Sequence, residues 1–393
     1  MNKIIPNSWE EKKFGEIGKL QGGFAFKSSK FKKKGIPIIR ISNLNNGKVD
    51  LENLVYSDHV DKLNNFLIKK NDILIAMSGA TTGKIGIYQS NRSAYLNQRV
   101  GRFLIQKNEL LNLGFLAKIV QQDFFLKKLL VDAIGGAQPN ISSNQIEDLS
   151  IKIPPLAEQK KIASILTSVD EVIEKTQSQI NKLQDLKKGT MNELLTRGIG
   201  HIEFKDSELG KIPKGWEISD LKSLVVSHNS GIYKKKSEYG NGYNILGVSD
   251  LYSCHIVDGQ IFRKVPLTDE EVLKFSLKKG DLVYGESSLV REGIAKTVCV
   301  SENGEGTIFA WHTRRFSVSD NMDSIFLNYF LSSNISRTYL TKVATQTALT
   351  GITTKDYFGV KVVIPSFKEQ QQIVTILSSI DNHIEKKQRK LQK

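Results

Sequence analysis

The stretch of residues 153–195 constrains the fold more than any other, because it predicts one helix too long to be stable alone. Pro154 and Pro155 come first, and a proline ends the preceding element because its ring fixes φ and removes a donor. Apolar residues then recur at seven-residue spacing over about 40 residues, or about 60 Å of helix. A narrow stripe flanked by Lys, Glu and Gln predicts a coiled-coil helix, which needs a partner to cover it.

The partner lies near the C-terminus, because the chain repeats itself. With a shift of 211 residues, residues 158–175 match residues 369–386 at 10 of 18 positions. The upstream frame repeats as well, since IPNSW at 5–9 returns as IPKGW at 212–216 and KKNDILI at 69–75 as KKGDLVY at 278–284. A diverged duplication is the simplest explanation. The residues predicted to pack between the two helices are Ile162, Leu166, Val169, Ile173, Ile180, Leu183, Ile373, Leu377, Ile380, Ile384 and Leu391.

Each copy has a mixed segment before its helix. Short runs rich in β-branched and aromatic residues, separated by Gly, Asn, Asp and Pro, predict strands, and residues 111–134 and 324–344 have helical periodicity. The predicted fold class is therefore α+β, with two tandem α+β domains, each followed by a long helix, and the helices packed as an antiparallel coiled coil with pseudo-twofold symmetry. The predicted boundaries are 1–152 and 212–363 for the domains, 153–197 and 364–393 for the helices, and 198–211 for a connector.

Charge indicates the kind of partner. The formal net charge of +15 at pH 7 is typical of a protein that binds a polyanion such as nucleic acid, although basic character for solubility alone is the alternative. No apolar run approaches the roughly 18 residues of a membrane span, and the N-terminus lacks a signal-peptide core, so we expect a cytoplasmic protein. The two cysteines, Cys254 and Cys299, have neither metal-ligand spacing nor a disulfide pattern.

The duplication suggests how DNA would be read. Two similar domains related by a twofold axis match the twofold symmetry of duplex DNA, and the helices would set the distance between two half-sites. Because the middle segments of the two copies differ, the two half-sites would differ as well. Because the second helix is shorter than the first, part of the apolar stripe of the first helix would stay uncovered. We expect another subunit to bind there, at residues 187–194.

The repeated motifs resemble those of a known family. The W-x4-F/L-G-x-I frame, the K-x-D-I/L-L strand, the SGATTGKIG loop at 78–86 and the P-x-x-E-Q-x-x-I-x-x-I-L helix entry are similar to those of type I restriction–modification specificity (S) subunits. The resemblance covers essentially the whole chain, including the layout of two target-recognition domains and two helical repeat regions.

This resemblance implies a non-catalytic DNA-recognition subunit. Such a subunit reads an asymmetric bipartite DNA sequence, one half per recognition domain, while its helices fix the spacer and dock two methyltransferase subunits, which endonuclease–translocase subunits join. S-adenosylmethionine, ATP and magnesium would then belong to the partner subunits, and this chain would need no cofactor. The alternative is a non-catalytic coiled-coil adaptor whose basic domains bind nucleic acid without sequence specificity.

Two lysine clusters at matching places in the copies are candidates for contacts with DNA phosphates. Such contacts set affinity and its salt dependence but carry no sequence information, and a solvated loop is the alternative. The clusters are Lys27, Lys30, Lys32, Lys33 and Lys34 in the first copy and Lys234, Lys235 and Lys236 in the second.

A loop after a strand is a second candidate in each copy. The SGATTGK loop superficially resembles a nucleotide-binding P-loop, but only three residues separate Gly79 from Gly83, and Ile85 follows the lysine where Ser or Thr should bind magnesium. We therefore reject nucleotide binding and keep DNA contact and a plain turn as equal alternatives. The candidate residues are Ser78, Thr81, Thr82 and Lys84, and at the matching place Ser287, Ser288 and Arg291.

A third pair of segments has the side chains that suit base edges. Asn and Gln suit adenine and Arg suits guanine in bidentate contacts, although all three are also common surface residues. The candidates are Asn97, Gln98 and Arg99 in the first copy and Trp311, His312 and Arg314 in the second, with Arg40 at a strand end as a weaker one.

Catalytic motifs are missing from the sequence. It has no N/D-P-P-Y/F segment for amino-methylation of a base, no G-x-G-x-x-G and no H-x-x-x-H or H-E-x-x-H spacing among its six histidines. A stand-alone nuclease or methyltransferase is therefore disfavoured, and we predict no catalytic, cofactor-binding or metal-binding residues in this chain.

Overall fold

A computed structural model of the protein describes residues 6, 8–45, 47–131, 140–346 and 349–392. Ile5 and Asn7 of the first IP-x-x-W frame, residues 136–139 of the second repeated segment and the terminal Lys393 lie outside the described residues. The chain divides into two compact units, unit 1 at residues 1–174 and unit 2 at residues 175–393.

Unit 1 is a mixed α+β structure. Its strands in chain order are β1 Glu10–Lys13, β2 Gly18–Gly22, β3 Ile36–Ile39, β4 Leu44–Asn45, β5 Gly47–Val49, β6 Val55–Ser57, β7 Leu67–Ile68, β8 Ile73–Ala76, β9 Ile85–Ile87, β10 Ala94–Leu96, β11 Val100–Ile105 and β12 Ser150–Ile153. Its helices are α1 Leu113–Val120, α2 Asp123–Val131, α3 Ser143–Glu147 and the first part of α4 Leu156–Arg197. The main sheets have the orders β2-β11-β8-β9-β5-β4 and β6-β3-β10-β7.

Unit 2 repeats this order of elements after the second part of α4. Its strands are β13 Phe204–Ser207, β14 Gly210–Pro213, β15 Glu217–Asp220, β16 Val225–Ser230, β17 Tyr243–Leu246, β18 Ile256–Val257, β19 Arg263–Val265, β20 Leu282–Gly285, β21 Ser287–Ser288, β22 Thr297–Val300, β23 Ile308–Phe309, β24 Thr313–Val318, β25 Thr345–Gln346, β26 Thr350–Gly351 and β27 Lys361–Ile364. Its helices are α5 Leu221–Leu224, α6 Asp269–Phe275, α7 Ser324–Ser332, α8 Asn334–Val343, α9 Thr354–Phe358 and α10 Phe367–Gln392. The sheet β16-β24-β20-β22-β18 corresponds to β2-β11-β8-β9-β5 of unit 1.

In each unit the first and last strands pair just before the long helix. β1 pairs antiparallel with β12, so that Glu10 lies opposite Ile153, and β15 pairs with β27, so that Glu217 lies opposite Ile364. The predicted fold class is confirmed, because two tandem α+β segments each lead into a long helix.

One buried glutamine fixes the start of each long helix to its own unit. The side-chain amide of Gln159 donates to the backbone carbonyls of Leu110 at 2.7 Å and Pro154 at 2.8 Å, and its oxygen accepts from the N–H of Asn112 at 2.8 Å. No part of Gln159 is exposed, so all three bonds are made in the interior, where an unpaired polar group is costly. Gln370 makes the same three bonds to Asn321, Pro365 and Asp323 at 3.0, 3.0 and 2.7 Å.

The neighbouring glutamate explains why tryptophan recurs in the frame. The indole N–H of Trp9 donates to Glu158 at 3.2 Å, and that of the buried Trp216 donates to Glu369 at 3.0 Å. Glu369 also accepts from the ring of His201 at 2.8 Å. The E-Q pair of each helix entry thus joins the helix to the start of the same domain.

The second part of α4 and α10 pack antiparallel within unit 2. The ammonium of Lys187 lies 2.6 Å from the carboxylate of Asp381, and the ammonium of Lys387 donates to Gln179 at 2.7 Å. As the residue number rises along α4 it falls along α10, which is the predicted antiparallel order. Ile180 and Ile384 lie between these contacts and are buried. Leu183, Ile380 and Leu391 are half-buried, and Ile373 and Leu377 belong to the core of unit 2.

The first part of α4 differs from the prediction. Ile162 packs against the core of unit 1, but Leu166, Val169 and Ile173 are 39%, 48% and 48% exposed instead of being covered by a second helix. The expectation of an open stripe at residues 187–194 is also wrong, because Met191 and Leu194 pack against the core of unit 2. The uncovered part of the stripe therefore lies in the first half of the helix.

None of the helices in the described residues is long and apolar enough to span a membrane. Within the same residues no group of three or more His, Cys, Asp and Glu side chains is placed to hold a metal ion. Cys254 and Cys299 are both free thiols.

The glutamine contacts predict a local loss of stability. Gln370→Met keeps the volume of the side chain but removes the buried partner of one N–H and two carbonyls, which should cost about 2–4 kcal/mol. Thermal unfolding followed by calorimetry should show the transition of unit 2 lowered by roughly 5–10 °C. The neighbouring exposed Gln371→Met is the matched control and should leave the transition within about 1 °C. Equal shifts in both variants would contradict the role of Gln370.

Candidate nucleic-acid interface

Four separate segments meet at one place in unit 1, which we call the first junction: residues 23–24, 77–78, 97–99 and 140–141. The N–H of Gly23 donates to Val100 at 3.1 Å and that of Phe24 donates to Leu96 at 2.9 Å. Met77 connects the remaining segments, since its N–H donates to Arg99 at 2.9 Å and its carbonyl accepts from Ile141 at 2.8 Å.

Unit 2 builds the same arrangement, the second junction, from residues 231–233, 286–288, 310–312 and 350–352. The N–H of Gly231 donates to Thr313 at 3.0 Å, and that of Ile232 donates to Phe309 at 3.0 Å. Glu286 takes the place of Met77: its N–H donates to His312 at 2.9 Å, and its carbonyl accepts from Ile352 at 3.1 Å. The backbone of the junction is therefore shared, and only its side chains differ.

A glycine is required at the same point of both junctions. A Cβ on Gly23 would lie 2.1 Å from the carbonyl oxygen of Asn97, and a Cβ on Gly231 would lie 2.1 Å from the carbonyl oxygen of Ala310. Two backbones approach too closely there for any side chain. This contact holds the turn that carries the predicted base-reading residues against the segment that leads to the lysine cluster.

The first junction exposes polar side chains and one aromatic ring. Gln98 and Arg99 are exposed on the turn, whereas the side chain of Asn97 accepts from the N–H of Gln98 at 2.9 Å and so supports the turn. Phe24 is 37% exposed beside them. An amide, a guanidinium and a ring face can together contact base edges and stack.

The second junction exposes aromatic side chains at the same place. The rings of Trp311 and His312 are stacked with centroids 4.1 Å apart, and Tyr233 meets Trp311 edge-on at 5.0 Å. The backbone of His312 has a positive φ of 65°, which residues other than glycine rarely adopt, so the turn is strained at this residue. All three side chains are exposed, and such a surface suits stacking and apolar contact with bases.

Arg314 was predicted to contact base edges, but its guanidinium binds other side chains of unit 2. It follows the turn on β24, and its guanidinium lies 2.7 Å from Glu286, donates to Ser230 at 2.6 Å and is 3.3 Å from the ring of His228. A guanidinium held by three partners in the sheet holds the junction together. In unit 1 Arg40 is likewise half-buried. Its guanidinium carbon lies over the ring of Phe31, 6.0 Å from the ring centroid.

The lysine clusters are mostly exposed. Lys27, Lys30, Lys33 and Lys34 are open to solvent in unit 1, and Lys32 is exposed but paired with Asp58 at 2.5 Å. In unit 2 Lys235 and Lys236 are exposed, whereas the half-buried Lys234 is paired with Glu271 at 2.8 Å. Six of the eight lysines are thus unpaired in the described residues, and both clusters follow directly from a junction.

The predicted loop residues are largely engaged within the protein. Ser78 and Ser288 are buried, and Ser288 accepts from the hydroxyl of Tyr252 at 3.0 Å. The hydroxyl of Thr82 donates to Gly79 at 2.6 Å, that of Thr81 is buried, and Ser287 is half-buried in a short strand. The guanidinium of Arg291 donates to carbonyls at the end of α8, with 2.8 Å to Thr341. Lys84 and Arg291 are the exposed residues of this set.

Sequence reasoning missed Phe24 and Tyr233, which lie at the junctions beside the predicted turn. The signal was present, because an aromatic residue follows a glycine within two positions in both copies. The bonds that occupy Arg314, Lys234 and Arg291 were not visible in the sequence.

Comparison with known proteins decides the family. The sequence model described as the type I restriction modification DNA specificity domain matches residues 6–185 and again residues 213–393. The chain belongs to this DNA specificity family. It is 29% identical to the type I restriction enzyme MjaVIII specificity subunit of Methanocaldococcus jannaschii, over 98% of this chain and 89% of that protein. It is 24% identical to the EcoKI specificity subunit of Escherichia coli, over 94% of this chain and 81% of that protein.

Solved structures of the specificity family share the fold. The S subunit of a type I restriction-modification system from M. genitalium aligns with a TM-score of 0.64 and 15% identity over 99% of this chain and 94% of that one. A chain from a structural study of assembly and conformational transition of the type I R-M system aligns with a TM-score of 0.51, 16% identity and the same coverage. The predicted resemblance to type I specificity subunits is confirmed.

The close approach of backbones at the first junction gives a test with a control one residue away. Gly23→Ala places a Cβ against the carbonyl of Asn97 and should cost about 1–3 kcal/mol as the two segments move apart. Gly22→Ala meets nothing within 4 Å and should change the free energy of unfolding by less than about 0.5 kcal/mol. Chemical denaturation of both variants measures the difference, and equal stabilities would show that the junction does not depend on this contact.

Proposed function

We propose that this chain is the DNA sequence-specificity subunit of a type I restriction–modification complex and that it reads an asymmetric bipartite target. One observation carries the proposal. The same backbone junction is built twice, with a glutamine and an arginine exposed in unit 1 and a tryptophan–histidine stack exposed in unit 2. A shared frame with different side chains supports one half-site per unit and two half-sites of different sequence.

The lysine clusters supply the part of binding that is independent of sequence. They follow Gly23 and Gly231 by a few residues, so phosphate contacts would form beside each base-reading turn. Their matching positions support a common docking geometry for the two units, while the junction side chains distinguish the bases. We propose that the domains, helices and connector have the boundaries predicted from the sequence.

The long helices would serve as spacer and docking surface. Ile165, Leu166, Val169 and Ile173 form an exposed apolar stripe on α4, with between 39% and 55% of each side chain exposed. Apolar side chains at this spacing on a helix suit burial by a partner. We propose that methyltransferase subunits, two per complex, bind through this stripe and that endonuclease–translocase subunits join through them.

We further propose that the chain is non-catalytic and takes no cofactor of its own. S-adenosylmethionine, ATP and magnesium would be bound by the partner subunits, and the complex would work in the cytoplasm, where the DNA is. Sequence-indifferent binding by a coiled-coil adaptor is the competing function, and it would show equal affinity for all duplexes at a given salt concentration.

Substitutions at the two junctions should each affect one half-site. Trp311→Ala should weaken binding to duplexes that carry the half-site read by unit 2 by about 1–3 kcal/mol and relax the sequence preference there alone. Gln98→Ala should do the same for the other half-site. Competition binding of the chain with its methyltransferase subunits to a library of duplexes measures both preferences. Loss of both half-sites in either variant, or no change in preference, would refute independent reading.

The apolar stripe on α4 gives a test of subunit docking. Leu166→Asp places a charge on an exposed position, so the chain should still fold, but its co-purification with methyltransferase subunits and methylation at every target should fall at least tenfold. Thr167→Asp lies on the opposite face of the helix and is the matched control. Normal assembly of Leu166→Asp, or equal loss with Thr167→Asp, would rule out this surface.

A further inference from the structure

A cavity of about 670 Å³ in unit 2 has a cationic lining. It lies between the second part of α4, the end of α7 and the start of α8, and its described lining contains three lysines, Lys187, Lys188 and Lys296, but no Asp or Glu. A neighbouring cavity of about 430 Å³ shares Cys254 and His255 as a wall, yet its own lining contains three carboxylates: Asp258, Asp381 and Glu385. An anion would therefore favour the first cavity over the second.

Lys296 and Lys188 both lack a counter-ion in the described residues, and Lys296 is the half-buried one of the two. Lys187 is paired with Asp381 at 2.6 Å, whereas the ammonium of Lys296 has no ion pair or hydrogen bond in the described part of the chain. Burial, and then repulsion by Lys187, lower the pKa of Lys296. Burial and the same two lysines lower the pKa of His255 to about 3, so that its ring is neutral at pH 7. A half-buried cation in such a place is stabilised when an anion binds beside it.

The backbone is strained immediately before this lysine. Ala295 is buried and has a φ of 57°, in the left-handed region that side chains rarely adopt. The matching residue in unit 1 is Gly83, with a φ of 81°, because Ile85 pairs with Ile75 as Thr297 pairs with Tyr284. There glycine adopts the conformation without strain, and the lysine that follows it is exposed.

The start of α8 adds unpaired donors to the same cavity. Ser333 lines the cavity and precedes the 10-residue helix, but its side chain makes no capping bond, is only 3% exposed and has no hydrogen-bond partner for its hydroxyl. The hydroxyl of Ser336, in the first turn behind the cavity lining, is buried and unpartnered as well. The first N–H groups of a helix need acceptors, and the helix dipole favours a negative charge there.

Unit 1 supplies that negative charge from its own chain. The matching helix α2 begins with Asp123, whereas α8 begins with Asn334 and has no acidic residue in its first turn. Unit 2 thus has a helix start without a carboxylate, the unpartnered hydroxyl of Ser333 and a half-buried, unpaired lysine at one cavity.

We propose that this cavity binds the phosphate group of a small molecule, as inorganic phosphate or a phosphate monoester. Phosphate has enough acceptor oxygens for the N–H groups and hydroxyls at the start of α8, and its double charge matches Lys188 and Lys296. The volume lies in the range of small-molecule sites, and Tyr252 and Tyr329 provide flat walls for an organic part. None of the residues that line the cavity belongs to the second junction, although Tyr252 donates to Ser288 there, and the proposal does not rest on the proposed DNA reading.

Isothermal titration calorimetry of the full chain tests the proposal with inorganic phosphate and adenosine 5′-monophosphate, at an ionic strength held constant with chloride. We expect saturable binding of one equivalent by the native chain. Lys296→Met should weaken binding at least tenfold, while Lys182→Met, an exposed position of α4 outside the cavity lining, should leave it unchanged. Absence of saturable binding, or equal loss in both variants, would overturn the proposal.

A second variant should weaken phosphate binding while it stabilises the protein without phosphate. Asn334→Asp supplies the carboxylate that unit 1 already has, so it should weaken phosphate binding at least tenfold and raise the melting temperature in the absence of phosphate. Retention of phosphate binding by this variant would contradict the site at α8. A 30-base-pair duplex added as competitor should not displace phosphate, and displacement would mean that the cavity holds the DNA backbone instead.

Discussion

The buried glutamine at the start of each long helix is the contact on which both units depend. Three hydrogen bonds join Gln159 to the carbonyls of Leu110 and Pro154 and the N–H of Asn112, and Gln370 repeats them. Both glutamine side chains are fully buried, so an apolar residue in their place would leave the backbone groups that they bind without these partners. The adjacent glutamate binds the tryptophan of the same frame. Together they fix the direction in which each helix leaves its domain.

This rigid frame allows the exposed side chains to vary. At each junction a glycine lets two backbones meet, and the hydrogen bonds around Met77 and Glu286 hold the remaining segments in the same way. The exposed chemistry differs completely, with Gln98 and Arg99 on one turn and a stacked Trp311 and His312 on the other. A duplicated frame can therefore diverge in what it recognises without losing its fold. The same divergence leaves α8 without the carboxylate that opens α2.

The duplication, the α+β class and the antiparallel helix order could be predicted from the sequence, because periodicity and repeated frames report directly on backbone structure. The environment of single side chains could not. Arg314 suits guanine as an isolated residue, but its neighbours on the sheet, Glu286 and Ser230, occupy its guanidinium. The sequence also predicted the wrong open part of the helical stripe on α4, because Leu166, Val169 and Ile173 are exposed and Met191 and Leu194 are covered. Heptad spacing shows which face is apolar, whereas its cover depends on where Met191 and Leu194 meet the domain core.

The two units are proposed to read DNA independently, each fixed to its own helix by the same contacts. Single-molecule methylation mapping tests it most directly, in cells that express the chain with its methyltransferase subunits, before and after residues 1–152 are exchanged for those of another family member. We expect a bipartite methylated sequence in which the exchange alters one half and leaves the other half and the spacer length unchanged. A change in both halves, or an uninterrupted target sequence, would contradict independent reading.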